Sequence, residues 1–167
     1  MIFNQIIKKN IMSGQPELID YLVFTQSVSD VFQKALNFIN NNILHSQKER
    51  GVNSTGEPEI PRIALEELLV NALIHRDYFV SAPIRIFVFF NRIEIISPGQ
   101  LPNNLTIENI KNGNSNIRNP IIASFASKIL PYRGLGNGIR RAINAYANMN
   151  FYEDKESNIF KVIITRK

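Results

Sequence analysis

The sequence predicts an α/β fold, on three observations. Two stretches in the first half carry apolar residues at helical spacing, a pair of β-branched and aromatic runs occupies residues 84–96, and a second pair of short apolar runs closes the chain. Taken in order, Ile2-Phe3, Ile6-Ile7, Ile11-Met12 and Tyr21-Leu22-Val23-Phe24 are separated by Lys8-Lys9 and Ser13-Gly14-Gln15-Pro16, which suggests short strands or an irregular arm. Ser27-Val28-Ser29-Asp30 offers side-chain oxygens that can cap a helix, and Val31, Phe32, Ala35, Leu36, Ile39 and Ile43 follow at helical spacing, so a helix is expected over 29–44. Residues 46–59 are polar and broken by Gly51, Gly56 and Pro58, and read as an exposed loop.

Pro61 suits the first turn of the next helix, where its missing N–H costs nothing. Residues 84–90 and 93–96 are expected to be two strands joined by a tight turn at Asn91-Arg92, the second ended by Ser97-Pro98-Gly99 with Gly99 free to take positive φ. Thr106–Asn112 reads as a short helix, Gly113–Asn116 as a polar loop, and Pro120 as the start of a helix through Ile121, Ile122, Phe125, Ile129 and Leu130. Arg133-Gly134-Leu135-Gly136-Asn137-Gly138 then runs into a helix over 139–146. Such a turn suits a phosphate, because bare backbone N–H groups and the helix dipole face the anion, although glycine clusters also make plain turns. Phe151–Asp154 and Ile159–Thr165 flank Lys155-Glu156-Ser157-Asn158 as a closing hairpin.

The helix after Pro61 holds the most informative stretch, Glu66 to Tyr78. At about 100° per residue, Glu67, Asn71 and His75 share one flank, opposite Leu65, Leu68, Leu69, Ala72 and Leu73. A carboxylate, an amide and an imidazole in one row can serve as general base, metal ligand and polar anchor. An amphipathic helix with its polar side in water gives the same pattern.

Composition narrows the classes. The 167 residues suffice for one domain with a sizeable core and leave room for an extension, and 44% are apolar. With no apolar run of about eighteen residues and no secretory leader pattern, the expectation is a soluble, cytoplasmic protein without a membrane partner. The absence of cysteine excludes disulfides, thiolate metal sites and a cysteine nucleophile, and His45 and His75 are too few for a histidine-rich zinc site. A net charge of +5 and a pI near 9.6 are compatible with nucleic acid or another anionic partner, Arg118, Lys128, Arg133, Arg140 and Arg141 being candidates for one basic patch. A scattered, solvated basic surface explains the charge equally well.

Glu67-x-x-x-Asn71-Ala72, Ser97-Pro98-Gly99 after a strand, and Gly134-Leu135-Gly136-Asn137-Gly138 before a helix follow the order of the boxes of the GHKL (Bergerat) ATPases, which include the gyrase B subunit, MutL and histidine kinases. More closely, Asn71-Ala72-x-x-His75-Arg76-Asp77-Tyr78, Ser97-Pro98-Gly99-x-Leu101-Pro102, Arg118-Asn119-Pro120 and Gly136-x-Gly138-Ile139 resemble the GHKL-type domain of RecG-related ATP-dependent helicases and transcriptional regulators, over residues 28–167. In that family the domain usually follows a Schlafen/AlbA-like DNA-binding domain, so residues 1–27 read as an N-terminal arm or the remnant of an upstream domain.

The resemblance implies a two-layer sandwich of Bergerat type, a mixed and mainly antiparallel sheet with helices on one face, and ATP and Mg²⁺ as ligands. It implies that Glu67 activates water, that Asn71 binds Mg²⁺, and that Gly134, Gly136 and Gly138 line the phosphates. Ser97, Gly99 and Arg118 are carried over as nucleotide-binding positions, and His75 as a pocket or structural residue particular to the family. Ser97 stands where many GHKL proteins have an aspartate that reads the adenine amino group; serine can accept that hydrogen bond but brings no charge. No Gly-x-x-x-x-Gly-Lys-Ser/Thr loop occurs, so a helicase motor has no visible machinery. The function implied is an ATP/Mg-binding domain of a DNA-linked regulatory protein with slow hydrolysis, a possible homodimer. The alternative is a non-catalytic dimerisation or DNA-linked module with a degenerate nucleotide site.

Overall fold

In the computed structural model, residues 18–23, 27–46, 56–132, 134 and 136–166 are described. The organising layer is a five-stranded sheet. Its strands are β1 (Leu18–Val23), β4 (Arg85–Phe89), β5 (Arg92–Pro98), β6 (Met149–Asp154) and β7 (Ile159–Thr165). They lie in the order β1-β4-β5-β7-β6, and every pairing among them is antiparallel. The two expected hairpins are both present, β4–β5 turning at Phe90-Asn91 and β6–β7 at residues 155–158. Of the arm expected over residues 1–27, residues 1–17 and 24–26 lie outside the described residues, while Leu18–Val23 forms β1, the sheet edge beside β4.

Register explains why one face of the sheet is dry. Val88, Ile93, Ile164 and Met149 stand opposite one another across four strands, and so do Ile86, Ile95, Val162 and Phe151. All eight side chains are buried. Because side chains alternate along a strand, the residues of opposite parity, such as Arg85, Phe87 and Glu94, fall on the other face and are exposed or only partly buried. There Arg92 lies over the Phe89 ring at 4.0 Å and pairs with Glu94 at 2.6 Å.

The helices cover the dry face. Helix α1 (Val28–Asn42) starts at Ser27, whose hydroxyl accepts the Asp30 N–H, and buries Phe32, Ala35, Leu36 and Ile39. A two-stranded ladder, β2 (His45–Ser46) with β3 (Glu57–Pro58), brackets the expected loop, of which residues 47–55 lie outside the described residues. Helix α2 (Arg62–His75) follows with Pro61 as its cap residue. It packs against α1, β5 and the later helix α5 (Gly138–Ala145), and it buries Leu65, Leu68, Leu69 and Leu73 but also Ala64, Val70, Ile74 and Glu67. A two-sided amphipathic helix is therefore not what forms; α2 is a central helix enclosed on nearly all sides.

Between β5 and β6, α3 (Ile107–Lys111) opens with a capping box, Thr106 and Asn109 each accepting the other's backbone N–H. Helix α4 (Pro120–Ile129) begins at its proline as expected, but the stripe Ile121, Phe125 and Ile129 points outward, 74%, 61% and 54% exposed. The seated side is Ala123, Ala126 and the following Leu130, whose small or terminal side chains let the helix lie close. A buried ion pair closes the fold at its far end: Arg166 Nε meets Glu59 Oε1 at 2.8 Å and its Nη1 donates to the Phe89 carbonyl. Among the described residues no helix is long and apolar enough to cross a membrane.

Candidate functional site

Glu67, Asn71 and His75 lie on the flank of α2 that meets the loops, and two adjoining clefts open there. One holds about 740 Å³, its open mouth included, and has an apolar floor of Leu68, Ile95, Ile110, Phe160 and Val162 beneath Asn71, His75 and Ser97. The other, about 320 Å³ on the same measure, brings Glu67, Asn71 and His75 against Gly134, Gly136, Gly138 and Arg141. Asn71, His75, Ser115 and Gly136 border both, so an apolar compartment leads into a polar one.

Glycine is required where the polar compartment is tightest. Gly136 has φ +70°, and a Cβ there would stand 3.2 Å from Ser115 Cβ. At Gly138 a Cβ would meet Glu67 Oε2 at 2.6 Å and Asn71 Nδ2 at 2.9 Å, so the start of α5 sits directly on the two polar residues of α2. Asn137 precedes that helix without a side-chain cap, and both it and Gly138 line the polar cleft.

The electrostatics are specific. The Glu67 carboxylate, 6% exposed, pairs with Arg141 Nη2 at 2.7 Å. Asn71 Nδ2 donates to the Glu67 carbonyl at 2.7 Å, which turns Oδ1 away from the helix backbone. Burial, with Arg118 nearby, lowers the His75 pKa below its ordinary value, against a backbone hydrogen bond at Asn116. Burial and then the Glu67 charge push the Tyr132 phenol up. Ser97 Oγ donates to the Ala72 carbonyl at 3.3 Å, tying β5 to α2 and leaving its oxygen an acceptor towards the apolar cleft. Among the described residues no three His, Asp or Glu side chains cluster as a self-contained metal cage.

Gly99 lines the apolar cleft at φ +102°, but Arg118 lines neither cleft. Arg118 lies behind Gly99, pairing through Nη1 with Asp77 Oδ2 at 3.0 Å and through Nη2 with the Gln100 carbonyl. Asp77 N–H donates to the Pro98 carbonyl at 2.8 Å, so the turn after β5 is fastened to the end of α2. Asn119 donates to the Ile74 and Arg76 carbonyls, Arg76 to those of Val80 and Ala82, and Tyr78 to that of Leu73. The expected basic patch is reduced accordingly: Arg118 and Arg141 are held in ion pairs, Lys128 and Arg140 are exposed, and Arg133 lies outside the described residues. Sequence reasoning placed Arg141 only in a basic patch and missed its position in the polar cleft beside Glu67, for which its place one turn beyond Gly138 was the available signal.

Residues 81–163, with Ser97, Gly99, Arg118 and the glycine turn among them, match the family model described as "Putative ATP-dependent DNA helicase recG C-terminal". They form a domain of that family. The recG C-terminal match begins after α2, so Glu67, Asn71 and His75 precede it. The crystal structure of the DIP2311 protein from Corynebacterium diphtheriae has the same fold, with a TM-score of 0.73 and 22% identity over 97% of this chain. This chain spans 34% of that one. No curated protein matches the sequence.

Proposed function

We propose that the domain binds ATP with Mg²⁺ across the two clefts and hydrolyses it slowly, as the nucleotide-responsive part of a DNA-linked regulator. The observation that carries this reading is the close seating of Gly138, at the start of α5, on Glu67 and Asn71, in a cleft that Gly134 and Gly136 also line. Backbone N–H groups at a helix start suit phosphate, and the carboxylate and amide stand beside it. The apolar cleft has the floor a purine needs, and Ser97 offers an acceptor for its amino group.

The donor set fits Mg²⁺, which is commonly held by one or two protein oxygens with the rest from phosphates and water; Asn71 Oδ1 would supply the protein ligand. Bound there, the ion would neutralise phosphate charge. Glu67 would take the proton from water as that water attacks the γ-phosphorus and the bond to the ADP oxygen breaks. The backbone N–H groups would hold the charge that develops on the phosphoryl oxygens.

A second reading, a regulatory module without turnover, is favoured by the Glu67–Arg141 pair, which engages the carboxylate a base would need. Calorimetric titration with ATP, with and without Mg²⁺, and phosphate release from wild type, Asn71→Ala, Gly136→Val and Glu67→Gln separate the two. Expected are Mg-dependent binding that Asn71→Ala and Gly136→Val weaken, and turnover that Glu67→Gln removes while the nucleotide still binds. Binding without turnover in the wild type selects the module; no binding at millimolar ATP with Mg²⁺ sinks the nucleotide reading. DNA contact, by an upstream domain, and homodimerisation rest on the family resemblance alone.

A further inference from the structure

We infer that Arg141 is the polyphosphate-recognising residue of this site, and that it exchanges the Glu67 carboxylate for the terminal phosphates of an incoming nucleotide; this rests on the nucleotide reading above. The guanidinium stands on the first turn of α5, on the wall of the glycine-lined cleft, and is 28% exposed where its carboxylate partner is 6% exposed. Its contact with Glu67 is made through one nitrogen, Nη2, at 2.7 Å. A guanidinium carries five N–H donors in a planar fork that matches phosphate oxygens, so it can turn to a polyphosphate while staying beside the carboxylate.

Charge gives the exchange its direction. Glu67 and Arg141 are the acidic and basic side chains among the described residues lining this cleft, and they neutralise each other. A polyphosphate entering beside Gly134, Gly136 and Gly138 brings several negative charges against Glu67. The cation between them lowers that repulsion, and the anion with more charge and more acceptors draws the fork away. The Glu67–Arg141 contact then opens only when phosphate is in place, which couples the state of that ion pair to an occupied site. A nucleoside without phosphates reaches only the apolar cleft, where Arg141 takes no part.

The test is calorimetric titration of ATP with Mg²⁺, and of adenosine, into wild type, Arg141→Gln, Arg141→Lys and Glu67→Gln. Arg141→Gln should weaken ATP at least tenfold and leave adenosine within twofold, and Arg141→Lys, which keeps the charge, should recover most of the loss. Glu67→Gln should tighten ATP severalfold with adenosine unchanged. Loss of ATP and adenosine together in Arg141→Gln would make the side chain structural and overturn the proposal, as would ATP binding that none of the variants alters. In either case wild-type ATP binding leaves the nucleotide reading standing. A wild type that binds neither ligand overturns both.

Discussion

Gly138→Ala separates the site from the fold. Its new Cβ would arrive 2.6 Å from Glu67 Oε2 and 2.9 Å from Asn71 Nδ2. Ordinary contact begins at about 3.4 Å, so the carboxylate must retreat by about 0.8 Å and the amide by about 0.5 Å. Both are side-chain ends, so the backbone need not move, and alanine returns up to about 1 kcal/mol of helix propensity. The melting temperature should therefore stay within about 4 °C of wild type. Catalysis is less forgiving: misplacing a reacting group by ~1 Å costs up to about a hundredfold. If the domain hydrolyses ATP as proposed, phosphate release should fall between tenfold and a hundredfold, measured beside thermal unfolding on the same preparations. Turnover within twofold of wild type would refute the reasoning that Gly138 sets the position of Glu67. So would a melt lowered by more than about 10 °C, because Gly138 would then be a packing residue first.

Three further outcomes follow from particular contacts. Arg166→Met strands the buried Glu59 carboxylate, whose Oε2 already has no hydrogen-bond partner among the described residues, and should cost about 3–5 kcal/mol in urea unfolding; a loss below about 1 kcal/mol would show the pair to be dispensable. His75 has a folded pKa below its unfolded value of about 6.5, so the unfolded chain binds more protons between the two, and stability should fall as pH drops below about 6.5. His75→Gln should flatten that part of the urea-unfolding pH profile, and an unchanged profile would assign the acid sensitivity elsewhere. Asn119→Ala removes both donors to the last carbonyls of α2 and should cost about 1–2 kcal/mol by the same measurement, with no loss counting against the capping role.

The elements were legible where the signal is local. Ser27 caps α1, Thr106 opens α3, and alternating β-branched runs give both hairpins, because each depends on residues within a few positions. What a helix packs against is not local. The polar flank of α2 could equally have met a site or water, and only the return of α5 over it decides: Glu67 is buried because Gly138 leaves room for it. For α4 the periodic large side chains misdirect: Ile121, Phe125 and Ile129 carry the hydrophobic signal, while Ala123 and Ala126 allow the close approach. A count of apolar side chains ranks those two surfaces in the wrong order, since seating depends on shape as well as transfer energy.

The site divides the motif residues by what they do, and spacing alone could not make that division. Asn71, His75, Ser97 and the glycines border the clefts. Arg118, Asp77, Asn119, Arg76 and Tyr78, equally prominent in the motifs, bind the backbone that holds those residues in place. Gly99 shows why they are needed. At φ +102° it turns the chain so tightly that a Cβ would stand 2.7 Å from Asp77 Cβ and 3.3 Å from Arg118 Cζ, so the ion pair packs directly against the turn. Ser97 precedes that turn by two residues and His75 precedes Asp77 by two. The Arg118–Asp77 ion pair thus braces the turn that carries Ser97 and Gly99 from outside the lining of the apolar cleft. The pairing of Arg141 escaped for the reverse reason: counting charge puts it in a basic patch with its neighbours, and only the folded chain brings the side chains of 67 and 141 within 2.7 Å.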